Sequence, residues 1–359
     1  MRQVLMILIM LPVLFALPQE ELQTEAAAIE QELSTQGREI GGTLTLDGSY
    51  DAQGALERLW ERALEKIKER ISAEISGAGL LVVLAVCSAL GEALAGSGAG
   101  KAWIPISVSC AAALMLIGES KSLIVQADET LSRLQSYTDT ALPLLFSACA
   151  ASGAVLSSAG RYTAVCLASS VMTHVLRRIV LPLIHAFLAL AVSGCIWENS
   201  LLRSVQNLIK WLAATAMTAG TSVFCAYIGV SGLISSSADA VAVKAAKTTV
   251  STLLPVIGRI LADSASLAVS AAEMIRSSIG VYSLIAVCAI CLTPVITLAG
   301  KLMIYKMVSA AAVSFGDGRL GRLISGFADA AGMLLGLVGS FAFMLFFSIF
   351  AGMRTVNAL

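Results

Sequence analysis

Seven stretches of this chain, 77–95, 102–118, 141–158, 179–197, 211–234, 279–299 and 331–352, are apolar over lengths close to one membrane crossing. A bilayer core is about 30 Å thick, and a helix rising 1.5 Å per residue crosses it in about 20 residues. Lipid offers no hydrogen-bond partner to the backbone, so apolar runs of this length must close their own bonds as helices. The expectation is an all-α fold, a polytopic transmembrane bundle of about seven spans, with room for an eighth half-span at 302–315. Composition agrees, since 57% of residues are hydrophobic and 13% charged, where a soluble domain carries about 25% charged residues. Trp103, Trp197 and Trp211 fall at span ends, where indole rings favour the membrane interface.

The formal net charge is zero. No global field draws such a chain to nucleic acid, and no nucleic-acid partner is expected. The lipid bilayer is the expected surroundings, and the small-residue spans suit either a tightly packed bundle or a multi-subunit membrane assembly. Many spans are rich in Ala, Ser and Gly, which let helices approach closely. Gly332, Gly336 and Gly339 form one such small-residue face in the last span and are candidate helix-packing positions.

Three parts are expected: a signal peptide or signal anchor at 1–17, an exported hydrophilic segment at 18–76, and a polytopic membrane domain at 77–359. Arg2 followed by the run VLMILIMLPVLFAL gives the first its signal-like character. Residues 18–76 hold thirteen acidic and six basic residues. From Asp51 on, Leu56, Trp60, Ala63, Leu64, Ile67, Ile71 and Ile75 recur at helical spacing, the mark of an amphipathic surface helix. Its place is on the membrane, on its own bundle, or against a partner outside the membrane.

The connectors are unusual. In 121–140, Leu123, Ala127, Leu131, Leu134 and Thr138 line one face and the remainder is polar. From Ser237 to Gly280 the chain is neither plainly soluble nor plainly a span. It should break near Pro255, whose ring clashes with a preceding helical turn. After the break, Arg259, Asp263, Ser266, Ser270, Glu273 and Ser277 recur at spacings of four and three, on one helix face. Before it, Lys244, Lys247 and Ser251 make a shorter polar row, with Asp239 preceding them. Such a stripe can lie in the headgroup layer, line a polar path or dock a neighbouring subunit, or be satisfied by pairs such as Arg259 with Asp263 one turn on. Asp239, Lys244, Lys247, Arg259, Asp263, Ser266, Ser270 and Glu273 are therefore the candidate partner-facing or path-facing residues. If 18–76 is exported, alternation places 96–101 inside, 119–140 outside, 159–178 inside, 235–278 inside and 300–330 outside. The last fits badly, because Lys301, Lys306, Arg319 and Arg322 oppose the positive-inside tendency.

Motifs for catalysis are absent. There is no G-x-S-x-G, H-E-x-x-H or Walker A pattern. His174 and His185 have no acidic neighbour in sequence, and His185 reads as a packing residue within a span. The eight cysteines lie in or beside apolar runs and read as small core residues. Cys288 and Cys291 form a C-x-x-C with no βαβ context. No catalytic residue, cofactor or metal is expected, and the chain reads as a non-enzyme.

Leu254-Pro255-Val256-Ile257-Gly258-Arg259, then Asp263, Ile275-Arg276, Gly280, Pro294 and Ile304-Tyr305-Lys306, preceded by Asp239-Ala240 with Lys244 and Lys247, resemble the stage III sporulation protein AE family. The resemblance covers about residues 210–355. It implies a subunit of a multiprotein channel or secretion-like complex in the mother-cell membrane around the engulfed forespore, needed for forespore development. It implies no catalytic residues. The rival reading is a stand-alone multi-pass transporter, which would show internal repeats and broken helices meeting at mid-membrane.

Overall fold

The computed structural model describes residues 52–94, 100–151, 155–196, 200–253, 257–315 and 318–353; within them, side chains are described for most positions but not for 230–278. The signal-like segment and residues 18–51 lie outside the described residues.

All described elements are helical: α1 (Ala52–Leu94), α2 (Gly100–Ala151), α3 (Val155–Val175), a π-helical turn (Leu176–Val180), α4 (Leu181–Ile196), α5 (Ser200–Leu253), α6 (Ile257–Ser314) and α7 (Gly318–Met353). Among the described residues, five stretches are long and apolar enough to cross a membrane: Trp103–Ser147, Tyr162–Gly194, Ser200–Gly229, Ile279–Ser314 and Gly318–Ala351. Gly79–Gly91 is a shorter apolar piece. This is an all-α, polytopic membrane fold.

The helices are longer than the apolar runs suggested. α2 has 52 residues, a rod of about 78 Å at 1.5 Å per residue. The predicted spans 102–118 and 141–158 therefore do not return on each other; the first and most of the second are two ends of one rod. The stretch between them stays helical because its apolar face is buried. Leu123, Ala127, Leu131, Leu134 and Thr138 are all inside. Likewise α6 runs on through Lys301 and Lys306 to Ser314, so most of the expected loop 300–330 is helix. α5 ends at Leu253 and α6 begins at Ile257, on either side of Pro255.

Helix directions follow from contacts. A Cβ on Gly91 of α1 would meet Ile104 of α2 at 2.8 Å, and one on Gly77 would meet Glu119 at 3.6 Å, so the two helices run antiparallel. Arg177 reaches Asp128 while Thr173 reaches Gln135, so the α3–π–α4 rod is antiparallel to α2. α6 and α7 form a tight antiparallel pair. Gly321 lies against Val313 and Ser309, and Gly332 against Leu302. The crossing near Gly321 is close enough for the buried Ser309 hydroxyl to donate to the Gly321 carbonyl at 2.7 Å. Phe327, Leu334, Leu337, Phe341 and Leu345 of α7 are buried, and α7 packs against α2, α4, α5 and α6. It is the central rod.

The π-turn has a local cause. In a regular α-helix the Pro182 ring would press on the Arg178 carbonyl four residues back. Instead the Leu181 N–H donates to Leu176 O, five residues back, and the widened turn relieves the clash. Such bulges re-aim side chains, and here one carries Arg177.

With each rod running once from end to end, the helix ends at Leu94, Gly100, Ile196, Ser200, Ser314 and Gly318 lie together, opposite those at Ala151, Val155, Leu253 and Ile257. This revises the expected sides of 119–140, 159–178, 235–278 and 300–330. If residues before α1 are exported, the α6–α7 turn is inside. Lys301, Lys306, Arg319 and Arg322 then obey the positive-inside tendency.

Candidate functional site

Among the described residues, three ionic clusters join helices across the bundle. In the first, Glu119 of α2 accepts two hydrogen bonds on one carboxylate oxygen, from Lys301 Nζ at 2.7 Å and from the Tyr305 hydroxyl at 2.5 Å. Both donors stand on α6, one turn apart, so the carboxylate is gripped by a single helix face. The Lys301 ammonium also sits 5.5 Å from the Tyr305 ring centroid, within cation–π range. Tyr305 is buried and the Lys301 side chain is only 13% exposed. An ammonium so enclosed needs its counter-charge, because an unpaired charge away from water is expensive.

In the second, Asp329 of α7 lies between two lysines from two other helices. Oδ2 accepts from Lys210 of α5 at 2.9 Å and Oδ1 from Lys306 of α6 at 2.8 Å. Lys306 also reaches the Ser325 hydroxyl at 3.4 Å. Asp329 is 23% exposed, and each lysine is about half exposed. One carboxylate thus ties three rods, and the cluster keeps one net positive charge.

In the third, Arg177 in the π-turn pairs with Asp128 of α2, its Nε 2.9 Å from Oδ1. Its guanidinium also donates to the Asp128 carbonyl oxygen at 3.1 Å and to the Ser132 hydroxyl. A turn further along α2, Gln135 accepts from Thr173 at 2.8 Å and donates to Asp139 at 2.8 Å. The amphipathic stretch of α2 is therefore answered by its neighbours.

The side chains of Asp239, Lys244, Lys247, Arg259, Asp263, Ser266, Ser270 and Glu273 lie outside the described residues; their backbone is helical in α5 and α6. Gly332 faces Leu302 of α6, and Gly336 faces Met217 of α5, with 3.4 Å or more left for a Cβ. Gly339 is exposed, with nothing within 4 Å. The tightest approaches fall at Gly321, Gly91 against Ile104 of α2, Gly220 against Met172 of α3, and Gly326 against Ala191 of α4. His174 and His185 are exposed, and the His185 ring bonds its own helix at Leu181 O, 2.9 Å away. This corrects the reading of His185 as a packing residue, because its neighbour in the helix, not the core, satisfies it. Cys288 and Cys291 are free thiols, Cys291 buried and Cys288 exposed. Among the described residues, no group of three or more His, Cys, Asp or Glu could hold a metal ion.

Glu119, Lys210 and Asp329 escaped the sequence reading because each stands within two residues of a predicted span edge, where charge is unremarked. Two positions that did carry weight there, Tyr305 and Lys306, are among those that reach Glu119 and Asp329.

The family described as stage III sporulation protein AE matches residues 46–354, reaching far closer to the N-terminus than the stretch that carries the motifs. The stage III sporulation protein AE of Bacillus subtilis (strain 168) is 24% identical over 192 residues, covering 54% of this chain and 48% of the relative. The chain thus spans about half the length of that curated relative. No solved structure matches. On the extent of the family match, this membrane protein belongs to the stage III sporulation protein AE family.

Proposed function

We propose that this chain is a non-enzymatic membrane subunit of a channel or secretion-like complex that connects mother cell and forespore and is needed for forespore development. It sits in the mother-cell membrane around the forespore, and its partners are the other membrane subunits of that complex. Family membership over residues 46–354 is the observation that carries the reading. The ionic clusters support it. Ionisable groups held between membrane helices are costly and are usually kept for a purpose, and here they brace long rods against one another. A scaffold that must hold its shape beside partner subunits calls for such bracing.

The rival is a stand-alone transporter. The sequence halves show no clear repeat, and α6 runs unbroken past Pro294, where a broken helix would suit that rival. Purification in mild detergent from sporulating cells, followed by identification of co-purifying proteins, tests the reading. Recovery of other sporulation membrane proteins is expected. Recovery of this chain without them, together with substrate flux by the purified protein in liposomes, would overturn it.

A further inference from the structure

The Lys210–Asp329–Lys306 cluster stands where three helices turn from charged to apolar. Past Lys210, α5 has no charged residue until Asp239, and past Asp329, α7 has none up to Met353. α6 has none from 279 to 300, and its one cation deeper than Lys306, Lys301, is held by Glu119. Residues 330–353 rise about 36 Å as helix, one hydrocarbon thickness with a little to spare. The cluster therefore lies at the edge of hydrocarbon, at the depth of lipid phosphates. Trp211, next to Lys210, is 62% exposed there, and indole rings favour that depth.

The helix register adds two cations. Lys210 meets Asp329, and Met217 meets Gly336, each seven residues further on, so α5 and α7 run parallel. Seven residues in the other direction stand Arg203 and Arg322, both exposed, two turns nearer the helix ends. No acid interrupts this column. Residues 200–213 and 301–316 hold none, and 318–329 hold Asp329 alone. Even with Glu198 and Asp317 of the connectors and Glu119 of α2, four carboxylates stand against six cations, Arg203, Lys210, Lys301, Lys306, Arg319 and Arg322. Lys210 and Lys306, each about half exposed, share one carboxylate between them.

Deeper than the cluster the surface is apolar. Ala214 of α5 and Met303 of α6 are exposed one turn further into hydrocarbon, on the faces that carry Lys210 and Lys306. We propose that this cluster heads a binding site for an anionic phospholipid. The phosphodiester sits on the two ammoniums, with Arg203 and Arg322 adding to the attraction from the headgroup side, and an acyl chain runs down past Ala214 and Met303. Basic pockets between membrane helices take anionic headgroups in this way. An acidic protein segment would match the cations but not the apolar track below them. The inference rests on the chain being a membrane bundle and not on its role in sporulation.

The test uses the full-length chain with Trp60→Phe, Trp103→Phe and Trp197→Phe, which keeps Trp211 as its one tryptophan. It is placed in phosphatidylcholine vesicles with a rising share of phosphatidylglycerol brominated on its acyl chains. Quenching of Trp211 then reads the preference of its lipid neighbours. Phosphatidylglycerol should be preferred about fivefold. Lys210→Gln with Lys306→Gln should bring the preference to about one, whereas Lys68→Gln with Lys121→Gln, the same charge removed from α1 and α2, should leave it unchanged. Should the first pair not fold, Arg203→Gln with Arg322→Gln, which spares the Asp329 cluster, should still lower the preference about twofold. Excess inorganic phosphate should not displace the lipid. Displacement by phosphate but not by chloride of equal ionic strength would make this a free-anion site and overturn the proposal. No preference in the starting chain, or equal loss in the α1–α2 pair, would also overturn it. Loss of co-purifying sporulation proteins would leave this result untouched, so the two readings fail separately.

Discussion

Glu119 and Lys301 stand 182 positions apart in the chain and meet at 2.7 Å, with Tyr305 closing on the same carboxylate oxygen. A lysine on α6 and a glutamate on α2 thereby fix the register of two rods of 58 and 52 residues. Apolar packing alone specifies register weakly here, because Ala, Ser and Leu recur on every face. A charged pair costs desolvation and gains little net stability, but it penalises every slipped arrangement that leaves Lys301 alone.

The Asp329 cluster should be asymmetric under substitution. Asp329→Asn leaves Lys210 and Lys306 facing each other without a counter-charge. A loss of about 1–2 kcal/mol is expected, allowing for the half-exposed lysines. Lys210→Met or Lys306→Met leaves Asp329 one partner and should cost about 0.5–1 kcal/mol each. Unfolding in detergent micelles, followed by circular dichroism, measures the order of the three variants.

Glycines of the last helix should divide by contact. At Gly321 a Cβ would lie 2.5 Å from Val313 Cγ2 and 3.2 Å from the Ser309 carbonyl oxygen. Gly321→Leu should destabilise by about 1–3 kcal/mol through overpacking and loosen the α6–α7 pair. At Gly339 nothing lies within 4 Å, and Gly339→Ala should gain up to about 0.5–1 kcal/mol from helix propensity. Thermal unfolding of both variants checks the contrast.

The rod directions place the helix ends at Leu94 and Ser314 on one side of the membrane and the ends at Leu253 and Ile257 on the other. Cysteines introduced singly between these helix ends, in a chain freed of its own thiols, should react with a membrane-impermeant maleimide in two groups. Residues 95–99 and 315–317 should label only after the membrane is opened. Residues 254–256, and a tag after residue 50, should label in intact cells.

Fold class was legible in the sequence because lipid permits few backbone solutions, and apolar runs near 20 residues leave only helices. The expected break at Pro255 lies outside the described residues, while the buried face of 121–140 was legible from its periodicity. Continuity through that stretch was not. Hydropathy averages over faces, so a helix that is polar on one side reads as an interruption even when its apolar side is fully packed. The site was partly legible. Tyr305 and Lys306 carried the family resemblance, but which carboxylates they meet depends on how three distant helices align. No local pattern encodes that. Glu119, Asp329 and Lys210 looked like ordinary charges flanking spans until the rods proved longer than the spans.

Exchange of the paired charges is the most direct test that ions held between helices, and not apolar packing alone, align this bundle for its role. In a spore-forming host lacking its own copy, Glu119→Lys, Lys301→Glu and the double exchange would be compared by heat-resistant spore yield at matched protein level. The expected result is a fall of about tenfold or more for each single change, where like charges meet in a poorly hydrated site, with substantial recovery in the double exchange. Wild-type yield from both single changes, or a double exchange no better than the worse single, would contradict it.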